Sequence, residues 1–144
     1  MKRLLIPFLL FCLFATLFTG CVTDTKSASL CAVVTEAEIT CQHKDVQIHR
    51  YYTDTTKLQW VLLYLRLLRP MGRPEIDPDS VDADVYQISL GFSDGTRRIY
   101  RQKDHRYLSV DFAPWKKIDS GTAAGLYTIL RKVPSDPQTN FAKS

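Results

Sequence analysis

The spacing of apolar positions changes several times along the chain, and each change marks an element. Leu4 to Phe18 is an apolar run interrupted only by Pro7 and Thr16, behind the two cations Lys2 and Arg3. Val22 to Leu30 is mostly small and polar without any period, and reads as a tether. Val46, Ile48, Tyr51 and Tyr52 then fall in a stretch rich in β-branched and aromatic residues, which predicts a strand. Thr53 or Asp54 supplies an N-cap for the run Leu58 to Leu68, which ends before Pro70 and predicts the strongest helix of the chain. Only Gln59, Arg66 and Arg69 interrupt it, so its apolar arc is wider than one core-facing stripe. Such a helix is either covered on two sides by its own domain or offers a face to a partner.

The stretch from Met71 to Ala83 contains Gly72, Pro74, Pro78 and several carboxylates, and reads as a loop. Beyond it Tyr86, Ile88, Leu90 and Phe92 alternate with polar positions, Asp94-Gly95 marks a hairpin turn, and Thr96 to Gln102 returns. Two registers are open. A two-residue turn opposes Leu90 to Ile99, whereas a turn with a glycine bulge places Arg98 and Tyr100 on the face of Ile88 and Leu90. Leu108, Val110 and Phe112 alternate again, and Trp115 to Ile118 extends or follows that strand past Pro114. Asp119 or Ser120 then caps a helix with Ala123, Leu126, Tyr127, Leu130 and Val133 at helical spacing, ended by Pro134. This order predicts an α+β fold: a small antiparallel β-meander sheet with two helices packed on one face. The expected boundaries are a leader over 1–20, a tether over 21–30, one domain over 31–133 and a disordered tail over 134–144.

Length fits that plan, since a core of about a hundred residues buries roughly 65% of its unfolded surface and folds alone. The leading apolar run is shorter than the ~20 residues that cross a bilayer, so it reads as a cleaved signal rather than a span. It ends in Leu17-Phe18-Thr19-Gly20-Cys21, which resembles the lipobox of bacterial lipoproteins: an apolar residue, a small one, Gly, then Cys. The resemblance implies cleavage after Gly20 and a diacylglyceryl group on the Cys21 sulfur, with three acyl chains in all. At about 0.8 kcal/mol per buried CH₂ such an anchor is permanent. The implied partner is therefore a membrane, reached through the lipid, and Val22 after the cysteine points by the same resemblance to an outer membrane, on its periplasmic side. A flexible tether of this length reaches about 15–18 Å, which keeps the domain near the lipid. Of the four cysteines, Cys12 leaves with the signal and Cys21 carries lipid. Cys31 and Cys41 remain as a pair in an oxidising compartment, where a disulfide contributing somewhat under ~3 kcal/mol is expected.

Catalytic chemistry has no sequence support. His43, His49 and His105 fall in no metal-binding spacing, and no serine-nucleophile, dinucleotide or phosphate-loop motif occurs. The expectation is a protein that is not an enzyme and uses neither cofactor nor metal. Charge is more informative: the chain carries +4, and Arg97, Arg98, Arg101, Lys103, Arg106, Lys116 and Lys117 crowd one segment against Asp104 and Asp111. The preceding loop holds Glu75, Asp77, Asp79, Asp82 and Asp84. Either these segments are solvated faces that partly neutralise each other, or the basic strands meet an anionic surface. On the second reading Arg98, Tyr100, Arg101, Arg106, Tyr107 and Trp115 form a binding face for an envelope protein or an anionic envelope surface, with nucleic acid excluded by compartment. The expected function is a non-enzymatic accessory or binding module of the envelope. The alternatives are a small inhibitor or immunity protein and, third, a cell-wall or lipid hydrolase.

Overall fold

A computed structural model describes residues 32–43 and 46–138. Cys21, Cys31 and the rest of the leader and tether lie outside them. Among the described residues, the sheet, the helices and the core cluster lie within the compact unit Val33–Ser144. In chain order the elements are β1 (Val34–His43), β2 (Val46–Tyr52), α1 (Thr55–Leu67), β3 (Pro70–Gly72), β4 (Val85–Phe92), β5 (Arg97–Lys103), β6 (Tyr107–Val110), β7 (Lys116–Ile118), α2 (Ser120–Ala123) and α3 (Gly125–Lys132). The strands form one seven-stranded sheet in the order β2-β1-β4-β5-β6-β7-β3, every pair antiparallel. The architecture is α+β, mostly sheet, as the sequence predicts.

Side-chain alternation decides what each face carries. Ala37, Ile39 and Cys41 of β1, Tyr86, Ile88 and Leu90 of β4, Gln102 of β5 and Leu108 of β6 are buried in register, and the helices cover that face. β1 is an addition to the sequence expectation, which placed the first strand at Val46. Its inward residues are small or modest, and Glu36, Glu38 and Thr40 between them dilute the apolar signal. The β4–β5 register is the bulged one: Ile88 opposes Tyr100 and Leu90 opposes Arg98. Gly95 supplies the left-handed residue at φ 83°, with its N–H donating to the Phe92 carbonyl at 2.9 Å and the Phe92 N–H donating to Thr96 at 3.0 Å.

Asp54 caps α1, accepting from the Thr56 and Lys57 amides at 3.0 and 3.1 Å. Leu58, Val61, Tyr64 and Leu68 are buried, whereas Trp60, Leu63 and Leu67 are 55%, 50% and 56% exposed. The wide apolar arc is thus covered on one side only. Asp119 caps α2, accepting from the Thr122 amide at 2.7 Å, and α3 follows across Ala124 to bury Leu126 and Ile129. Beneath the helices the Tyr64 hydroxyl bonds to Gln102 Oε1, and Gln102 Nε2 donates to the Ala123 carbonyl at 3.1 Å, which satisfies a fully buried amide.

One expectation changes. The tail does not fray directly after Pro134: Asp136 accepts from the Thr53 and Asp54 amides at 2.8 and 2.9 Å and pairs with Lys57. Ser135 Oγ accepts from the Tyr51 amide at 2.9 Å, and the Asp136 amide donates to the Tyr51 carbonyl at 2.7 Å. Residues 139–144 lie outside the described part.

Of the expected disulfide pair, Cys41 is buried in β1 with a free thiol and Cys31 lies outside the described residues. Burial pushes the Cys41 thiol up, and the nearby Asp84 carboxylate adds to the rise. Cys41 is accordingly expected to resist maleimide in the folded domain and to react once denaturant is added without reductant. A thiol that stays silent in denaturant until reductant is supplied would establish the expected bridge to Cys31.

Candidate functional site

The six residues of the expected basic and aromatic face divide between the two sides of the sheet, as strand alternation requires. Arg98 and Tyr100 share the helix-covered side with Leu90 and Ile88. Tyr100 packs against the core, and Arg98 ends in an ion pair with Asp111 at 3.4 Å. Arg101 and Tyr107 belong to the opposite side, where Tyr107 is buried and offers nothing to a partner. Arg106 sits in the β5–β6 turn beside Asp104 at 3.7 Å. Only Arg101 and Trp115 are brought together.

The excess of cations is also largely answered from within. Arg97 pairs with Glu36 and bonds to the Ser89 hydroxyl at 3.2 Å, and Lys117 pairs with Glu75 of the acidic loop at 2.9 Å. With Arg98 on Asp111 and Arg106 on Asp104, four of the seven cations of this segment face carboxylates. Exposed pairs of this kind add little stability, about 0–1 kcal/mol each, but they cancel the field a distant anion would feel. The neutralising alternative describes most of this segment.

Arg101 stands outside these pairs. Its guanidinium carbon lies 4.6 Å from the ring centre of Trp115 and 5.2 Å from that of Phe112, between the two aromatics, and its buried Nε has no hydrogen-bond partner. A guanidinium held against aromatic faces gains about 0.5–2 kcal/mol and loses the freedom to swing away. Trp115 is fixed in turn, because its indole N–H donates to Asp79 Oδ1 at 3.0 Å. Around it Arg73, Pro74, Glu75, Ile76, Asp77, Pro78, Pro114 and Trp115 line an open groove of about 590 Å³.

The segment that delivers Phe112 is strained. Asp111 and Phe112 both adopt left-handed backbone, at φ 50° and 60°, in a tight turn closed by the Ala113 amide on the Val110 carbonyl at 3.0 Å. Asn-Gly or Asp-Gly is the usual choice for such a turn, since a bulky residue there costs about 1–2 kcal/mol. The turn is pinned to β5 by the Ile99 amide, which donates to Asp111 Oδ1 at 2.9 Å, and by the Asp111 amide, which donates to the Ile99 carbonyl at 2.8 Å. Phe112 is nevertheless 61% exposed. The turn thus holds a large apolar ring in solvent beside an arginine at a cost in backbone strain. The sequence flagged Arg101 and Trp115 but not Phe112, which reads as one more alternating strand residue.

On the helix side His105 packs against Tyr127 with ring centres 4.6 Å apart and the rings tilted by 50°, and Tyr127 meets Tyr86 edge-on at 5.8 Å. Burial, reinforced by the Tyr127 hydroxyl, drives the Tyr86 phenol far above its ordinary value, so it stays neutral and structural. Among the described residues no cluster of three or more His, Cys, Asp and Glu side chains could hold a metal ion, and no helix is long and apolar enough to cross a membrane. No protein family, curated protein or solved structure matches the chain. The functional reading therefore rests on the site itself.

Proposed function

We propose that the chain is a membrane-anchored envelope lipoprotein whose domain works as a non-enzymatic binding module, docking a partner protein on the cluster of Arg101, Phe112 and Trp115 and on the groove that Trp115 lines beside it. The observation that carries the reading is the strained, exposed Phe112 beside an arginine that is stacked and lacks a hydrogen bond at Nε. Tryptophan, arginine and large aromatics supply most of the energy of protein interfaces, and a polar rim excludes water around them. Here Arg73, Glu75, Asp77 and Asp79 supply that rim. The partner is a protein with a shape-complementary apolar anchor, in place of the general anionic surface that the segment's charge suggests.

Capture from detergent-solubilised envelope tests this. Wild-type domain is expected to retain one stoichiometric protein, and Arg101→Ala or Trp115→Ala to lose at least 2 kcal/mol of affinity, about thirtyfold. Arg98→Glu with Arg106→Glu should change it little. Phe112→Gly separates recognition from folding, because it relieves the left-handed strain: the thermal midpoint should rise, by about 1 kcal/mol of stability, while affinity falls. A partner held equally by Phe112→Gly, or lost through Arg98 and Arg106 instead, overturns the groove as the site.

A further inference from the structure

The sheet covers one side of α1 and leaves the other side bare. Trp60, Leu63 and Leu67 stand at i, i+3 and i+7, on one stripe of the helix, and each is at least half exposed. Single exposed apolar side chains are ordinary on a protein surface, but a row of three headed by a tryptophan is a contact surface.

The sign of its surroundings selects what covers it. No Asp or Glu occurs from Thr55 to Pro74 or from Ser120 to Val133, whereas Arg66, Arg69, Arg131 and Lys132 are all exposed. Lys132 shares with Trp60 a small surface pocket of about 150 Å³, completed by Thr128, Ile129 and Val133, so a cation lies beside the indole. Lys57 is taken by Asp136. A second copy of this chain is a poor occupant, because a symmetric pair through this face would bring cations toward cations with no carboxylate in either helix to answer them.

We infer that this face lies on the surface of an anionic phospholipid bilayer. Trp60, Leu63 and Leu67 enter the boundary between headgroups and acyl chains, where an indole is at home with one edge wet and one apolar. Arg66, Arg69 and Lys132 extend their stems along that boundary and meet lipid phosphates. At thirteen residues α1 lies along the membrane rather than through it. The inference goes beyond the proposed docking site, whose Arg101 lies on the sheet face opposite the helices, and it needs no acyl chain on Cys21.

The test uses the unit Val33–Ser144, which contains the whole core, without acyl chains. Trp115→Phe leaves Trp60 as the sole remaining one of the two tryptophans. Vesicles of phosphatidylcholine containing phosphatidylglycerol should shift the Trp60 emission to the blue and co-sediment the domain, and vesicles of phosphatidylcholine alone should do so far less. Each cation near an anionic leaflet raises partition roughly fivefold, so Arg66→Glu with Lys132→Glu should lower it about 25-fold or more. Trp60→Ser with Leu67→Ser should abolish the interaction while circular dichroism and the melting curve stay those of a folded domain, since both positions are exposed. Equal partition onto neutral and anionic vesicles, no partition at all, or a dimer in sedimentation that Trp60→Ser dissolves would overturn the inference. Capture by the groove is scored with different residues, so the two proposals fail independently.

Discussion

Cys21→Ser is expected to leave an unprocessed precursor, heavier than the mature protein, that no longer incorporates labelled fatty acid. The expectation follows from the proposed lipobox: the thiol is the nucleophile that takes the diacylglyceryl group, and serine at ordinary pH offers a hydroxyl far too weakly acidic to replace it. The effect is all-or-none, because three acyl chains at about 0.8 kcal/mol per CH₂ leave no measurable free population, and their loss leaves only the uncleaved leader to hold the chain. Mass spectrometry of the membrane fraction and radiolabelled palmitate read it directly. Acylation that persists in the serine variant sinks the lipoprotein reading but leaves the groove and the helical face untouched, because both belong to the unit from Val33 onward.

The second large effect is expected at Asp136. Its carboxylate accepts from two backbone amides and faces Lys57, so Asp136→Ala removes charge-assisted bonds and leaves the Thr53 and Asp54 amides to find new partners at the junction of β2 and α1. Hydrogen bonds to charged groups contribute about 1.5–3 kcal/mol and are not additive, so a loss of about 2–4 kcal/mol is expected, or roughly 10–20 °C in melting temperature. Its pH dependence has a definite sign. Lys57 and the two amides hold the Asp136 carboxyl far below the usual carboxylate range. The stabilisation is therefore complete above the unfolded value of about 3.9 and disappears as pH falls from there toward the folded one. Wild type should lose more stability than Asp136→Asn between about pH 5 and pH 2. Parallel pH profiles for the two proteins would show that the carboxylate's charge contributes nothing to the fold.

Elements built on a strong local signal were legible in the chain. Pro70 and Asp54 delimit α1, and Asp94-Gly95 located the hairpin, although choosing between its registers required the tertiary pairing of β4 with β5. β1 was obscured because its inward positions, Ala37, Ile39 and Cys41, alternate with carboxylates and threonine, and because the cysteines invited a covalent explanation. The tail was misjudged because Asp136 looks like any polar terminal residue until Thr53, Asp54 and Lys57 are beside it. Of the candidate site, composition found Arg101 and Trp115 but grouped them with residues that strand parity sends elsewhere. Parity was available in the sequence, since 98 and 100 differ from 101 by odd steps; the stacking by Phe112 was not, because it depends on a left-handed turn that no residue there announces.

The bonds that tie the tail to Tyr51 bear on how the molecule behaves among many copies of itself. β2 and β3 are the outermost strands, and an outermost strand presents amides and carbonyls to any extended chain that drifts past. Pro70 removes a donor from β3, a strand of three residues, and Ser135 and Asp136 occupy the outward groups of Tyr51. On the proposed lipid anchor, copies would diffuse in two dimensions at high local density, where chance encounters between bare rims would nucleate ribbons. Clipping the chain after Pro134 would uncover that rim as well as loosen the helix start, and favour copies that zip edge to edge.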